Sequence, residues 1–387
     1  MRLLISERES LNLNPNTSIS PPGLYIHVPF CRSKCPYCGF YSVASTKLVP
    51  GWLHAFKKEV SLYKHRFDSF DSLYIGGGTP SLLDLGDLED IMKCLFVHFH
   101  FQSNVEITLE ANPGDMTDEK IRGLKSMGFN RVNLGVQSFD DPSLYYLGRR
   151  HNTHDAERAL YLLRSYGFHN IGMDLIYGFE TQTMDIWKET IRHALQFNPE
   201  HISCYQLTIE DKTPFQRMKD QGRLKPLDEE EECSFFLTGS DYLKENGYIQ
   251  YEISNFAREE IFYSRHNCKY WDHTPYLGLG PAAHSFQGSR RWWNVRSIRQ
   301  YCEALEKGEP PLGGFEDLTD EQIRLEDLFL GLRTQKGIRI SGYQDNPDIN
   351  KALSQLHELG YIELNQNRIT STQKGFLVAD RLPLYLT

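Results

Sequence analysis

Three cysteines fall within eight residues, Cys31-Arg32-Ser33-Lys34-Cys35-Pro36-Tyr37-Cys38, at C-x3-C-x2-C spacing. Soft thiolates so placed select an iron-sulfur cluster or zinc. A structural zinc needs a fourth protein ligand, usually from a second C-x-x-C or an H-x3-H pair, and the sequence has neither. Three thiolates on one cluster leave one iron open for chemistry. Just upstream, Leu24-Tyr25-Ile26-His27-Val28-Pro29-Phe30 reads as a short apolar strand ended by a proline. The thiols therefore sit on the loop at a strand's C-terminal end, where parallel α/β barrels keep their active sites.

A chain of 387 residues, 40% of them hydrophobic, buries a large core and suits one barrel plus a smaller unit. Only three of the eight cysteines cluster, so they do not form a disulfide framework and suit a reducing interior. Cys94, Cys204, Cys233, Cys268 and Cys302 read as ordinary buried thiols. Residues 1–22 lack the apolar run of a signal peptide and read as a mobile arm. No segment approaches the length of a transmembrane helix, so a soluble cytoplasmic protein is expected. Net charge is -9 with lysine and arginine scattered, which argues against a nucleic-acid partner.

Apolar runs at Leu73–Ile75, Val105–Leu109, Arg131–Val136, Ile171–Ile176 and His201–Leu207 alternate with amphipathic stretches. Strand, helix, strand predicts a parallel sheet. With the Tyr25 strand this makes six βα units, suited to an open, partial (β/α)6 barrel over residues 23–225. Residues 226–312 extend it, opening on Asp228-Glu229-Glu230-Glu231-Glu232, carboxylates that suit a helix's first turn. Gly308-Glu309-Pro310-Pro311-Leu312-Gly313-Gly314 reads as a linker. Residues 313–387 then show helices at Asp320–Leu332 and Ile349–Leu359, followed by β-like runs around Asn365-Gln366-Asn367. That order resembles a winged helix. From Glu316 onward eleven Asp/Glu face eight Lys/Arg, so a lid over the barrel mouth fits better than DNA binding.

Several strand ends carry ligand-suited residues. Gly76-Gly77-Gly78-Thr79-Pro80 lets backbone approach a ligand closely. Glu110, Gln137 and Asp174 end the third, fourth and fifth strands, and Arg149 follows in Leu147-Gly148-Arg149-Arg150-His151. Carboxylates there accept hydrogen bonds from ribose hydroxyls or an amino group.

Taken together, Tyr25 to Cys38 resembles the opening of the radical S-adenosylmethionine (SAM) superfamily, in its coproporphyrinogen-oxidase-like branch. The resemblance implies a 4Fe-4S cluster on Cys31, Cys35 and Cys38 whose fourth iron is chelated by SAM, with reductive cleavage to a 5′-deoxyadenosyl radical. It further implies SAM contacts from Tyr25, Tyr37, Gly77, Gly78, Thr79, Glu110, Gln137, Arg149, Asp174, Leu207 and His284. The last lies in Leu277-Gly278-Leu279-Gly280-Pro281-Ala282-Ala283-His284-Ser285, which looks like the branch's loop beside the SAM pocket.

Within the branch, the oxygen-independent coproporphyrinogen III oxidases continue the cluster motif to a fourth cysteine, where this chain has Phe40. His266-Asn267-Cys268-Lys269-Tyr270-Trp271 instead has the H-N-x-x-Y-W form typical of HemW-type haem chaperones. An imidazole beside flat rings suits haem, making His266, Tyr270 and Trp271 the candidate haem residues and Cys268, at a variable position, a lesser one. The resemblance thus implies haem as cargo, a haem-acceptor protein and an electron donor. It assigns no catalytic residue; decarboxylation of coproporphyrinogen is the alternative.

Overall fold

A computed structural model describes residues 20–341, 346–365 and 367–386, so most of the expected N-terminal arm lies outside the described residues. Six parallel strands form the centre: β1 (Gly23–Val28), β2 (Phe70–Gly77), β3 (Phe101–Ala111), β4 (Arg131–Gln137), β5 (Ile171–Tyr177) and β6 (His201–Gln206). The connecting helices start where the sequence supplies caps. Asp84, Thr117, Asn152 and Thr183 each accept a first-turn N–H, satisfying a donor that the helix cannot. Alternate strand residues such as Leu24, Ile26, Leu73, Ile75, Leu109 and Val132 are buried under these helices. Their strand neighbours face the barrel interior.

The sheet does not stop at six strands. β7 (Ile249–Gln250) and β8 (Asn255–Ala257) add antiparallel beside β6. At the other edge β9 (Tyr276–Leu279) runs parallel to β1, followed by antiparallel β10 (His284–Gln287), β11 (Arg290–Asn294) and β12 (Leu312–Asp317). The stretch read as a linker is thus partly a strand. Its glycines are needed there, because a Cβ on Gly314 would come within 2.5 Å of the Trp293 ring. Glu59, on the apolar face of the helix Val49–Tyr63, fastens this extension to the barrel. It accepts from Tyr301 Oη at 2.6 Å, Asn294 Nδ2 at 2.6 Å and the Gly280 amide at 2.8 Å. Burial still raises its pKa to about 7.

Beyond β12 a second core gathers Leu328, Leu332, Leu353, Leu356, Ile362 and Ile369. Helices Asp320–Gly331 and Pro347–Glu358 cover a small sheet ordered β13 (Ile338–Arg339), β15 (Arg368–Ser371), β14 (Ile362–Asn365). This is the winged-helix-like arrangement. It does not cap the cysteine loop as expected. Ion pairs of His273 with Glu326 and Asp327 and of Arg291 with Glu326, plus a bridge from Glu252 to Thr334, hold it against the base and flank of the barrel.

Candidate functional site

The cysteine loop leaves β1 at Pro29 and is tied back by backbone. The Cys31 amide donates to Val43 O, Val43 N to Pro29 O and Cys38 N to Cys35 O. Thr79 Oγ1 and Arg149 Nη1 each lie 3.5 Å from a sulfur, of Cys31 and Cys35 respectively. Arg149 is itself held by Gly135 O at 2.8 Å, so a fixed cation stands beside the thiols. Burial raises the Cys38 pKa, as do the neighbouring thiols Cys35 and Cys31. Among the described residues no three His, Cys, Asp or Glu side chains converge on a single-ion site. A cluster, which takes one thiolate per iron, does not require that convergence.

Gly77 and Gly78 fit between this loop and β3. Gly77 has φ of +109°, and a Cβ on Gly78 would lie 2.6 Å from Phe30 O. The turn they permit aims the Gly77 amide at Glu110 Oε2 at 3.0 Å, while Tyr74 Oη donates to Oε1 at 2.8 Å. Burial raises Glu110 to about 7 despite both bonds. On β5, Asp174 accepts from Asn133 Nδ2 at 2.7 Å, and its Oδ1 has no partner. Burial raises its pKa also. Gln137 sits after a bulge at φ +71°, a conformation rarely held by a non-glycine residue, with its buried Oε1 unpartnered. Arg149 Nε is likewise without a partner. Buried polar atoms without partners are costly, so several on the neighbouring strands β4 and β5 and the connection between them fit a polar ligand.

Tyr25 turns inward from β1, beside Tyr74, and donates to His27 Nδ1 at 3.1 Å. His27 Nε2 lies 2.8 Å from Tyr41 O, so the proton is on Nε2 and the ring is neutral, with burial lowering its pKa to about 4. Tyr37 packs with Leu207 against the small cluster of Leu147, Ile176 and Phe179. Tyr37 and Leu207 thus form an apolar wall beside Arg149, whose Nη1 is 3.5 Å from Tyr37 Oη.

The H-N-x-x-Y-W run lies elsewhere. It forms the helix Arg265–Trp271, which closes the N-terminal end of β1–β3, opposite the thiols: Arg265 N bonds Glu106, and Lys269 bonds Asp71 and Pro21 O. His266 is 1% exposed, stacked on Tyr25 and Tyr74 with centroids 5.8 and 5.4 Å away, and its Nε2 meets Tyr270 Oη at 2.9 Å. Gly23 admits it, since a Cβ there would be 2.7 Å from His266 Nδ1. So enclosed, His266 has no open face for a haem iron, which corrects the expectation of it as axial ligand. Trp271 lines a separate cavity with Cys268 and Tyr251. Tyr270 packs edge-on to Tyr276 and lines a second cavity. His284, expected beside SAM, lies on β10 with its ring stacked on Trp293.

Comparison with known proteins matches this architecture. The Radical SAM superfamily model covers residues 25–194, and the HemN C-terminal domain model covers residues 318–378. The heme chaperone HemW of Bacillus subtilis is 34% identical over 92% of this chain and 97% of its own length. That of Synechocystis sp. is 34% identical over 84% of this chain and 81% of its own. The chain belongs to the HemW family of the radical SAM superfamily. The coproporphyrinogen III oxidase HemN from Escherichia coli shares the fold, with a TM-score of 0.81 over 95% of this chain and 90% of that one, at 23% identity. The chain thus sets a six-stranded parallel core before a HemN-type C-terminal unit. Sequence reasoning missed Tyr74, Asn133 and His27, which position the site's side chains. The alternation within each strand, which turns 25, 27, 74 and 133 inward, was the available signal.

Proposed function

We propose that the chain binds haem and passes it to an acceptor protein, on a scaffold that holds a 4Fe-4S cluster and SAM. The observation that carries this reading is the likeness to heme chaperone HemW proteins over nearly the full length of both chains. Cys31, Cys35 and Cys38 would hold the cluster, which when bound supplies an electron to the SAM sulfonium. Around it, Glu110 would receive the ligand's amino group, and Asp174 Oδ1 and Gln137 Oε1 would accept its hydroxyls. Arg149 would face the cluster's negative charge, the Gly77-Gly78-Thr79 backbone would line the methionine end, and Tyr37 and Leu207 would wall the apolar side. Tyr25 would close the floor. No helix among the described residues is long and apolar enough to cross a membrane. The chain itself is taken to act in the cytoplasm, with a haem-acceptor protein and an electron donor as its partners.

The fold shared with HemN raises the competing activity, oxidative decarboxylation of coproporphyrinogen III. Phe40 stands 67% exposed where the oxidases carry a further cysteine. Incubated without oxygen with coproporphyrinogen III, SAM and reductant, the reconstituted protein is expected to yield no protoporphyrinogen. Turnover to protoporphyrinogen would replace the chaperone reading with the oxidase.

A further inference from the structure

With His266 enclosed, the haem needs another site. A cavity of about 600 Å³ opens on the inner face of β9–β11, across from Phe329 and Leu330 of the helix Asp320–Gly331. That volume is in the range of small-molecule sites. Antiparallel register places His284 opposite Trp293 and Phe286 opposite Tyr276. Since side chains of one strand face alternate ways, 284 and 286 look into the same space. The His284 ring stacks on Trp293 at 5.7 Å. Tyr276 lies 6.3 Å from Phe286 and 4.8 Å from Tyr270, making a continuous aromatic wall. With Phe329 and Leu330 on the far side, a flat macrocycle has apolar surface on both faces.

An imidazole can bind iron only when it is neutral with a free lone pair. His284 has no hydrogen bond on either ring nitrogen among the described residues, and burial, Arg291 and Arg296 lower its pKa, so the imidazole is neutral. The other histidine of the cavity is disqualified. His273 donates to both Glu326 and Asp327, which hold it charged. The cavity's cations are engaged too, Lys269 with Asp71 and Arg291 with Glu316 and Glu326. Haem propionates therefore have no free cation inside and belong at the open side. A larger cavity, about 740 Å³, lies beyond the helix Arg265–Trp271 and is lined by Cys268. Burial pushes that thiol up to about 12, which withholds the thiolate that iron prefers.

We infer that haem docks against the β9–β11 face with His284 as its axial ligand, an inference that rests on the haem-chaperone reading. Tyr270 joins this cavity to the aromatic stack under β1 and β2, since its hydroxyl bonds His266, which stacks on Tyr25 and Tyr74, while its ring packs edge-on to Tyr276. Haem would thus lie alongside the cofactor site, not beneath it.

The test is haem titration of anaerobically reconstituted wild type, His284→Ala and Cys268→Ser, read by Soret position and affinity. His284→Ala is expected to shift the Soret band and weaken binding about tenfold or more, with free imidazole restoring the wild-type spectrum. Cys268→Ser should titrate as wild type. All three should keep the cluster absorbance, which excludes misfolding. An unchanged His284→Ala spectrum, or a loss confined to Cys268→Ser, overturns the inference while the chaperone reading stands. Failure of wild type to bind haem overturns both.

Discussion

Cys35→Ala, reconstituted anaerobically with iron and sulfide, is expected to retain no 4Fe-4S cluster and to show no spectral response to SAM. The three thiols share one short loop whose shape is set by backbone bonds at Cys31, Cys38 and Val43. Two thiolates left by the substitution cannot anchor three irons. The remaining cysteines are remote in sequence, and Cys204 and Cys268 are buried in other parts of the fold with pKa values raised by desolvation. The fold itself should persist, because Cys35 is only half-buried and the loop's anchoring bonds are backbone ones. Iron and sulfide analysis gives the answer directly; full iron content in Cys35→Ala would remove the cluster from this loop.

Glu110→Gln is expected to weaken SAM about tenfold at pH 8, the loss of one hydrogen bond from the ligand's amino group to a charged carboxylate. The wild type carries a second signature. With Glu110 at about 7, its carboxylate is charged above that pH and protonated below it, so wild-type SAM affinity should fall as pH drops from 8 to 6. The Gln variant should be flat over the same range. Stability moves in the opposite sense. A carboxyl whose folded pKa exceeds its usual 4.5 binds its proton more tightly folded than unfolded, so its ionisation costs stability as pH rises through 4.5 to 7. Glu110→Gln should therefore melt no lower than wild type at pH 8, separating lost binding from lost folding. Isothermal titration across pH checks it, and a pH-independent wild type would take Glu110 out of the amino-group role.

The six central strands were legible because each is a run of β-branched and aliphatic residues set between helix caps, and the place of the thiols just after β1 marked the end of the barrel where a site was expected. β9 and β12 were not legible. Gly278, Gly313 and Gly314 look like loop residues until the neighbours are placed: a Cβ on Gly278 would lie 2.0 Å from His284 O, and the other two lie under Trp293. Glycine here serves close packing between strands and not chain flexibility. The H-N-x-x-Y-W run was visible as an aromatic cluster, but its placement depends on Gly23, far away in sequence, leaving room for His266. Glu59 was hidden for a similar reason. Its three partners come from β9–β11 and the following helix, and nothing on its own helix announces them. Glu110 was recoverable because it stands one residue from the end of β3, where side chains meet a barrel's mouth; Asp174, expected at a strand end, lies mid-way along β5.

The measurement that tests the central claim most directly is the stoichiometry of haem on the purified, cluster-reconstituted protein. Titrated anaerobically and followed at the Soret band, the protein is expected to saturate at about one haem per chain and, once loaded, to release it to an added apo-haemoprotein. No saturable Soret change at any haem concentration would contradict the account.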